Sequence, residues 1–161
     1  MYNLHMRENT KQALLWIVSI LQKNNVRFQI SGGFTAKIYG SPRELNDIDI
    51  DVPDDELKTI LNDVKPYIIF GPEHFRDERW DLQLMTLNYN GQEIDLSGGN
   101  TLKICDARTG EWKENPTDFS DIEEKEIFGI KVPVISRKSL VEYKSMLVGQ
   151  HQKIDIESIL K

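Results

Sequence analysis

The chain reads as an α/β, more narrowly α+β, domain: a mixed β-sheet with helices packed on one face and a C-terminal helical segment. Three observations predict it. Leu14, Leu15, Ile17, Val18 and Leu21 recur at helical spacing within Glu8–Lys23. The run Asp47-Ile48-Asp49-Ile50-Asp51-Val52 alternates with the two-residue period of a strand. Asn90-Gly91 stands between two alternating runs, and both residue types tolerate the positive φ of a tight hairpin. A length of 161 residues, 39% of them hydrophobic, suits one domain with a real core. Residues 1–161 are therefore read as one unit, with 1–100 as the catalytic core and 101–161 as a strand-rich connection and closing helices.

Taken in order, the helix over 8–23 is followed by a short strand over 26–30, the turn Ser31-Gly32-Gly33 and a helix over 34–39. The acidic strand over 47–52 leads into Pro53-Asp54-Asp55-Glu56, which has the proline and first-turn acids of a helix start, and that helix runs to about Val64. Residues 67–70 form a short apolar strand bounded by Pro66 and Gly71-Pro72. Residues 73–80 read as a loop holding His74, Phe75, Arg76, Arg79 and Trp80, its aromatics folded into the core or stacked on a base.

The hairpin 81–89/92–97 sets Tyr89 opposite Gln92, Leu87 opposite Ile94 and Thr86 opposite Asp95. Its apolar face is Met85, Leu87, Ile94 and Leu96, leaving Glu93 and Asp95 on the polar face. A strand over 101–106, a polar connection over 107–120 and a hairpin 122–128/130–135 about Gly129 follow. Asp121, Glu123, Glu124 and Glu126 read as solvated surface. Ser136 caps a helix to about Val148 that carries Leu140, Tyr143, Met146 and Leu147 as a stripe, and a last helix covers 152–160.

The chemistry lies in the acidic strand. Asp47, Asp49 and Asp51 share one face while Ile48, Ile50 and Val52 share the other. Aligned like charges repel unless solvent or a cation relieves them. Magnesium takes one or two carboxylates plus phosphates and water, and two ions about 4 Å apart can share carboxylates. The alternative is a solvated edge strand. An EF-hand loop is excluded, since it needs glycine and glutamate where the chain has Val52 and Lys58. Upstream, Gly32 and Gly33 permit close approach of phosphate to backbone N–H groups.

Together these residues resemble the nucleotidyltransferase superfamily of the DNA polymerase beta-like fold, including its small antibiotic-nucleotidyltransferase members. The matching elements are Gly32-Gly33 after a strand, Arg43, Asp47 and Asp49 on the next strand, and a third carboxylate on a later one. Asp95, within Ile94-Asp95-Leu96, fits that place, with Glu93 the other candidate. Leu45 stands where relatives carry threonine, His151 where arginine is common, and Ile154 where lysine is frequent. Lys144 and Asp155-Ile156-Glu157 resemble the closing helices of such relatives.

The resemblance implies a nucleotidyltransferase fold and transfer of a nucleoside monophosphate from a magnesium-bound nucleoside triphosphate to an acceptor hydroxyl. Asp47, Asp49 and Asp95 are the implied catalytic and metal-binding residues, and Asp95 the general base. Ser31, Gly32, Gly33, Arg43 and Lys144 are the implied nucleotide contacts. The acceptor is expected to be small, such as an antibiotic, and homodimerisation to help complete the site. The alternatives are a non-catalytic nucleotide-binding or toxin–antitoxin module and a structural adaptor.

A net charge of −6 without basic patches gives no extended nucleic-acid surface and suits a cationic acceptor. No apolar run spans a bilayer and no secretory signal opens the chain, so no membrane partner and a cytoplasmic location are expected. Cys105, alone, is read as a small buried residue, and with scattered His5, His74 and His151 it offers no zinc cluster.

Overall fold

The computed structural model describes residues 6–161, so His5 lies outside the described residues. Five α-helices and nine strands follow the order α1 (Glu8–Lys23), β1 (Gln29–Ser31), α2 (Gly32–Ile38), β2 (Asp47–Val52), α3 (Leu61–Val64), β3 (Ile68–Arg76), β4 (Trp80–Tyr89), β5 (Gln92–Gly98), β6 (Lys103–Cys105), β7 (Trp112–Glu114), β8 (Ile122–Ile127), β9 (Ile130–Ile135), α4 (Arg137–Lys144) and α5 (Gln150–Leu160). The sheet runs β7-β6-β4-β5-β2-β1-β9-β8, with β3 on β4. It is mixed, because β2 pairs parallel with β5 and β1 parallel with β9 while the remaining pairs are antiparallel.

Alternation does the sorting. Ile48, Ile50 and Val52 are buried in one core with Met85, Leu87, Ile94 and Leu96 and with Leu14, Ile17 and Leu21 of α1. The acidic side of β2 is thereby left on the opposite face. The hairpin has the expected register, Thr86 opposite Asp95 and Tyr89 opposite Gln92. Its turn residues Asn90 and Gly91 have φ of 49° and 86°, the twist-matched geometry of a two-residue connection. Likewise Phe128 and Gly129 at positive φ join β8 to β9. Ser136 caps α4, its Oγ accepting from the Ser139 amide at 3.2 Å.

Elsewhere the structure differs from the sequence reading. The expected loop over 73–80 is mostly strand: β3 runs through Gly71-Pro72, pairs with β4 across two register irregularities, and ends in a short turn at 77–79. The irregularities accommodate the proline, which has no N–H for a ladder. The expected helix over 53–64 is broken into a 3-10 turn at Asp54–Leu57 and the single turn α3. The carboxylate of Asp54, at the start of the 3-10 turn, accepts from the Asn100 amide and the Thr101 hydroxyl and ties this segment to the residues after β5. The helix α2 begins at Gly32 rather than 34, α4 ends at Lys144, and β7 forms within the expected connection. Cys105 is buried. No helix among the described residues is long and apolar enough to cross a membrane.

Candidate active site

The acidic face of β2 forms the floor of a cavity of about 570 Å³. Parallel pairing sets Asp49 beside Asp95 and Asp47 beside Glu93, so two pairs of carboxylates follow one another on the same face, with the Ile48/Ile94 pair between them on the other. One carboxylate oxygen each from Asp47, Glu93 and Asp95 lies within 4.8 Å of the others, and Asp95 accepts from the Thr86 hydroxyl at 2.7 Å. The structure thus brings both candidates for the third carboxylate, Asp95 and Glu93, to Asp47.

Burial pushes the Asp47 carboxyl up to about 6, aided by the charges of Asp95 and Glu93. Asp49 is pushed well above the ordinary carboxylate range by burial and then by the charges of Asp47 and Asp95. Carboxylates held together against their own repulsion, at a spacing one ion could bridge, are a donor set that fits a hard divalent cation.

This has a measurable consequence. A raised folded-state pKa means the folded protein holds protons that the unfolded chain has released, so metal-free stability falls as pH rises from about 4 towards neutrality. Thermal melts across that window are expected to show this decline, and saturating magnesium to remove it.

Beside these carboxylates is the glycine turn. Gly32 has φ of +62°, and a Cβ placed there would collide with the Asp49 carboxylate. Only glycine combines this backbone with that approach. The Gly32 N–H donates to the Tyr143 hydroxyl at 2.7 Å, which anchors α4 to the turn. Gly32→Ala is therefore expected to displace Asp49 and lower turnover about a hundredfold, the usual cost of a misplacement near 1 Å. Steady-state kinetics beside a far-ultraviolet spectrum of the folded variant checks it.

Arg43 and Lys144 both line the cavity, and both are held by one buried acid. Arg43 donates from Nε to Asp155 Oδ1 at 2.8 Å and from Nη2 to Oδ2 at 2.6 Å, while Lys144 Nζ lies 2.9 Å from Oδ2. Ser41 adds a hydroxyl at 2.6 Å. Burial pushes Asp155 up, but the bonds from Arg43, Ser41 and Lys144 outweigh it and bring the carboxyl down to about 2. The two cations are thus held in the cavity wall by one buried carboxylate.

Ser31 and Gly33 also line the cavity, so every site residue expected from the sequence borders it. Phe75 and Trp80 form part of its wall and also pack beside the small cluster of Leu82, Leu102, Ile104 and Met146. Other lining residues were not expected: Asn115 to Asp118 from the connection, Asp121, and Gln29 and Tyr143. Asp121, read as surface, borders the cavity and accepts from the hydroxyls of Ser136 and Ser139. Long-range folding brings these residues in, and no local pattern marks them.

The family model for aminoglycoside-2''-adenylyltransferase matches residues 13–159. The chain belongs to this family. It is accordingly a nucleotidyltransferase, which rules against the structural-adaptor reading.

Similar folds occur in a candidate nucleotidyltransferase from Thermotoga maritima, TM1012 (21% identity, 89% of this chain and 88% of that one, TM-score 0.73). They also occur in the lincosamide antibiotic adenylyltransferase LnuA bound to lincomycin (17% identity, 96% and 99%, TM-score 0.65). A third is ANT(2'')-Ia in complex with adenylyl-2''-tobramycin (12% identity, 93% and 87%, TM-score 0.60). At these identities the likeness establishes the nucleotidyltransferase fold. A search of the curated proteins found no match.

Proposed function

We propose that this member of the adenylyltransferase family moves the adenylyl group of magnesium-bound ATP onto a hydroxyl of a small, amine-bearing antibiotic. The observation that carries the reading is the meeting of Asp47, Asp49 and Asp95, from parallel neighbours β2 and β5, beside the Gly32 turn in one cavity. Family membership supports adenylyl transfer, and the net charge of −6 suits a cationic acceptor.

In this reading Asp47, Asp49 and Asp95 hold the divalent ion, and Glu93, whose carboxylate oxygen lies within 4.8 Å of those of Asp47 and Asp95, is a further donor within reach. The ion supplies charge neutralisation of the phosphates. Asp95 takes the proton of the acceptor hydroxyl, held in place by the hydroxyl of Thr86. The acceptor oxygen then bonds to the α-phosphorus as the bond to the bridging oxygen breaks and pyrophosphate departs. Ser31, Gly32, Gly33, Arg43 and Lys144 line the path assigned to the phosphates.

The test is incubation with ATP labelled in its α-phosphate, magnesium, and tobramycin or lincomycin. Label is expected on an acceptor, with stoichiometric pyrophosphate and no transfer in chelator. Failure to label any amine-bearing antibiotic in the presence of bound ATP would overturn the acceptor class.

A further inference from the structure

The strand face that bears Asp47 and Asp49 continues to Asp51, which the proposed reaction does not use. Asp51 lies opposite Gln29 of β1, and Gln29 Nε2 donates to Asp51 Oδ2 at 2.9 Å. Gln29 is 2% exposed, yet it lines the cavity and its Oε1 is buried without a hydrogen-bond partner. A buried carbonyl left unpaired has lost its hydration with no bond in exchange, so it marks a place where a donor belongs. Turning the amide over does not cure it, because Oε1 would then face the Asp51 carboxylate.

What completes this pair must donate hydrogen bonds to a carbonyl and carry positive charge for a carboxylate. The chain does not supply it from the cavity wall. Among the lining residues Arg43 and Lys144 are both committed to Asp155, His151 pairs with Gln152, and Ser31 gives Asp51 a neutral hydroxyl only, whereas Asp118, Asp121 and Glu142 add further negative charge. A phosphate is repelled by such a place, and the amino group of a neutral base donates hydrogen bonds but leaves the carboxylate's charge uncompensated.

We infer that Gln29 Oε1 and the Asp51 carboxylate form an ammonium subsite, which takes a protonated amine of the acceptor and so fixes which hydroxyl meets Asp95. This rests on the reading of the acceptor as an amine-bearing antibiotic. The subsite sits on the next same-face pair along β1 and β2 from Asp49, so it grips the acceptor beside the reacting group, with the Ser31 hydroxyl, which also bonds Asp51, between it and the Gly32 turn.

Calorimetric titration of tobramycin and, separately, of magnesium with a non-hydrolysable ATP analogue, tests it in wild type, Gln29→Met, Gln29→Glu and Asp51→Asn. Gln29→Met and Asp51→Asn are expected to weaken tobramycin about tenfold, the worth of one charge-assisted hydrogen bond, and to leave the nucleotide analogue unchanged. Gln29→Glu, which keeps an acceptor oxygen but sets a second carboxylate against Asp51, is expected to melt lower than wild type without tobramycin and to recover that loss when tobramycin binds. Equal weakening of both ligands, loss confined to the nucleotide, or no change in either would overturn the subsite.

If the wild type binds no tobramycin, the acceptor reading fails by itself and spermidine becomes the probe. Its binding, seen as a shift of the Gln29 side-chain amide resonance that Asp51→Asn abolishes, upholds the subsite. No shift overturns it.

Discussion

Asp49→Asn is expected to lower nucleotidyl transfer by at least about a thousandfold, the several kcal/mol that a metal-held phosphate contributes to the transition state. The same change is expected to make the metal-free protein harder to melt. Both effects come from one placement. Asp49 sits between Ser31 on β1 and Asp95 on β5, in contact range of Gly32, with burial and the charges of Asp47 and Asp95 all opposing its ionised form. Asparagine keeps the shape and removes the charge, which relieves the repulsion and removes the ligand. Calorimetric melting with and without magnesium, run beside steady-state kinetics, separates the two. The variant should gain little from magnesium where the wild type gains much. A variant that is both inactive and less stable would mean that Asp49 is a structural group.

Asp155→Asn is expected to act through the fold first. The carboxylate is fully buried and is shared by Arg43, Lys144 and Ser41, so its removal strands two cations at the cavity wall. Breaking a buried pair while its partners remain costs about 3 kcal/mol or more. Chemical denaturation at neutral pH measures the loss directly. A double change with Lys144→Met is expected to recover part of it, because one orphaned charge is then gone. The depressed Asp155 carboxyl sets the sign with pH: its contribution is complete above the ordinary carboxylate range and is lost as pH falls towards about 2. That is opposite to the effect of Asp47 and Asp49 and occupies a more acid window.

The parts of the fold that sequence made legible are those governed by neighbours along the chain. Alternation assigned Ile48 and Ile50 to the core and Asp47 and Asp49 to the other face, and the Asn90-Gly91 turn determined that Thr86 meets Asp95. What stayed hidden depends on encounters at long range. Gly71-Pro72 reads as a strand end, and only pairing with β4 carries β3 through it. Tyr143 reads as one member of an apolar stripe, whereas its hydroxyl reaches Gly32 across the site. The tie from Asp155 to Arg43 joins positions whose relation no periodicity encodes. Gln29 carried no signal either, since an unpaired carbonyl exists only once a cavity surrounds it.

The central claim is that carboxylates from β2 and β5 share one divalent ion beside the glycine turn. Its most direct test is a crystal grown with manganese and a non-hydrolysable ATP analogue, with anomalous diffraction recorded at the manganese edge. The account predicts an anomalous peak at bonding distance from Asp47, Asp49 and Asp95, with the analogue's phosphates on its other side towards Gly32 and Gly33. A peak bound elsewhere, or an analogue seated without any of these three carboxylates at the metal, would contradict it.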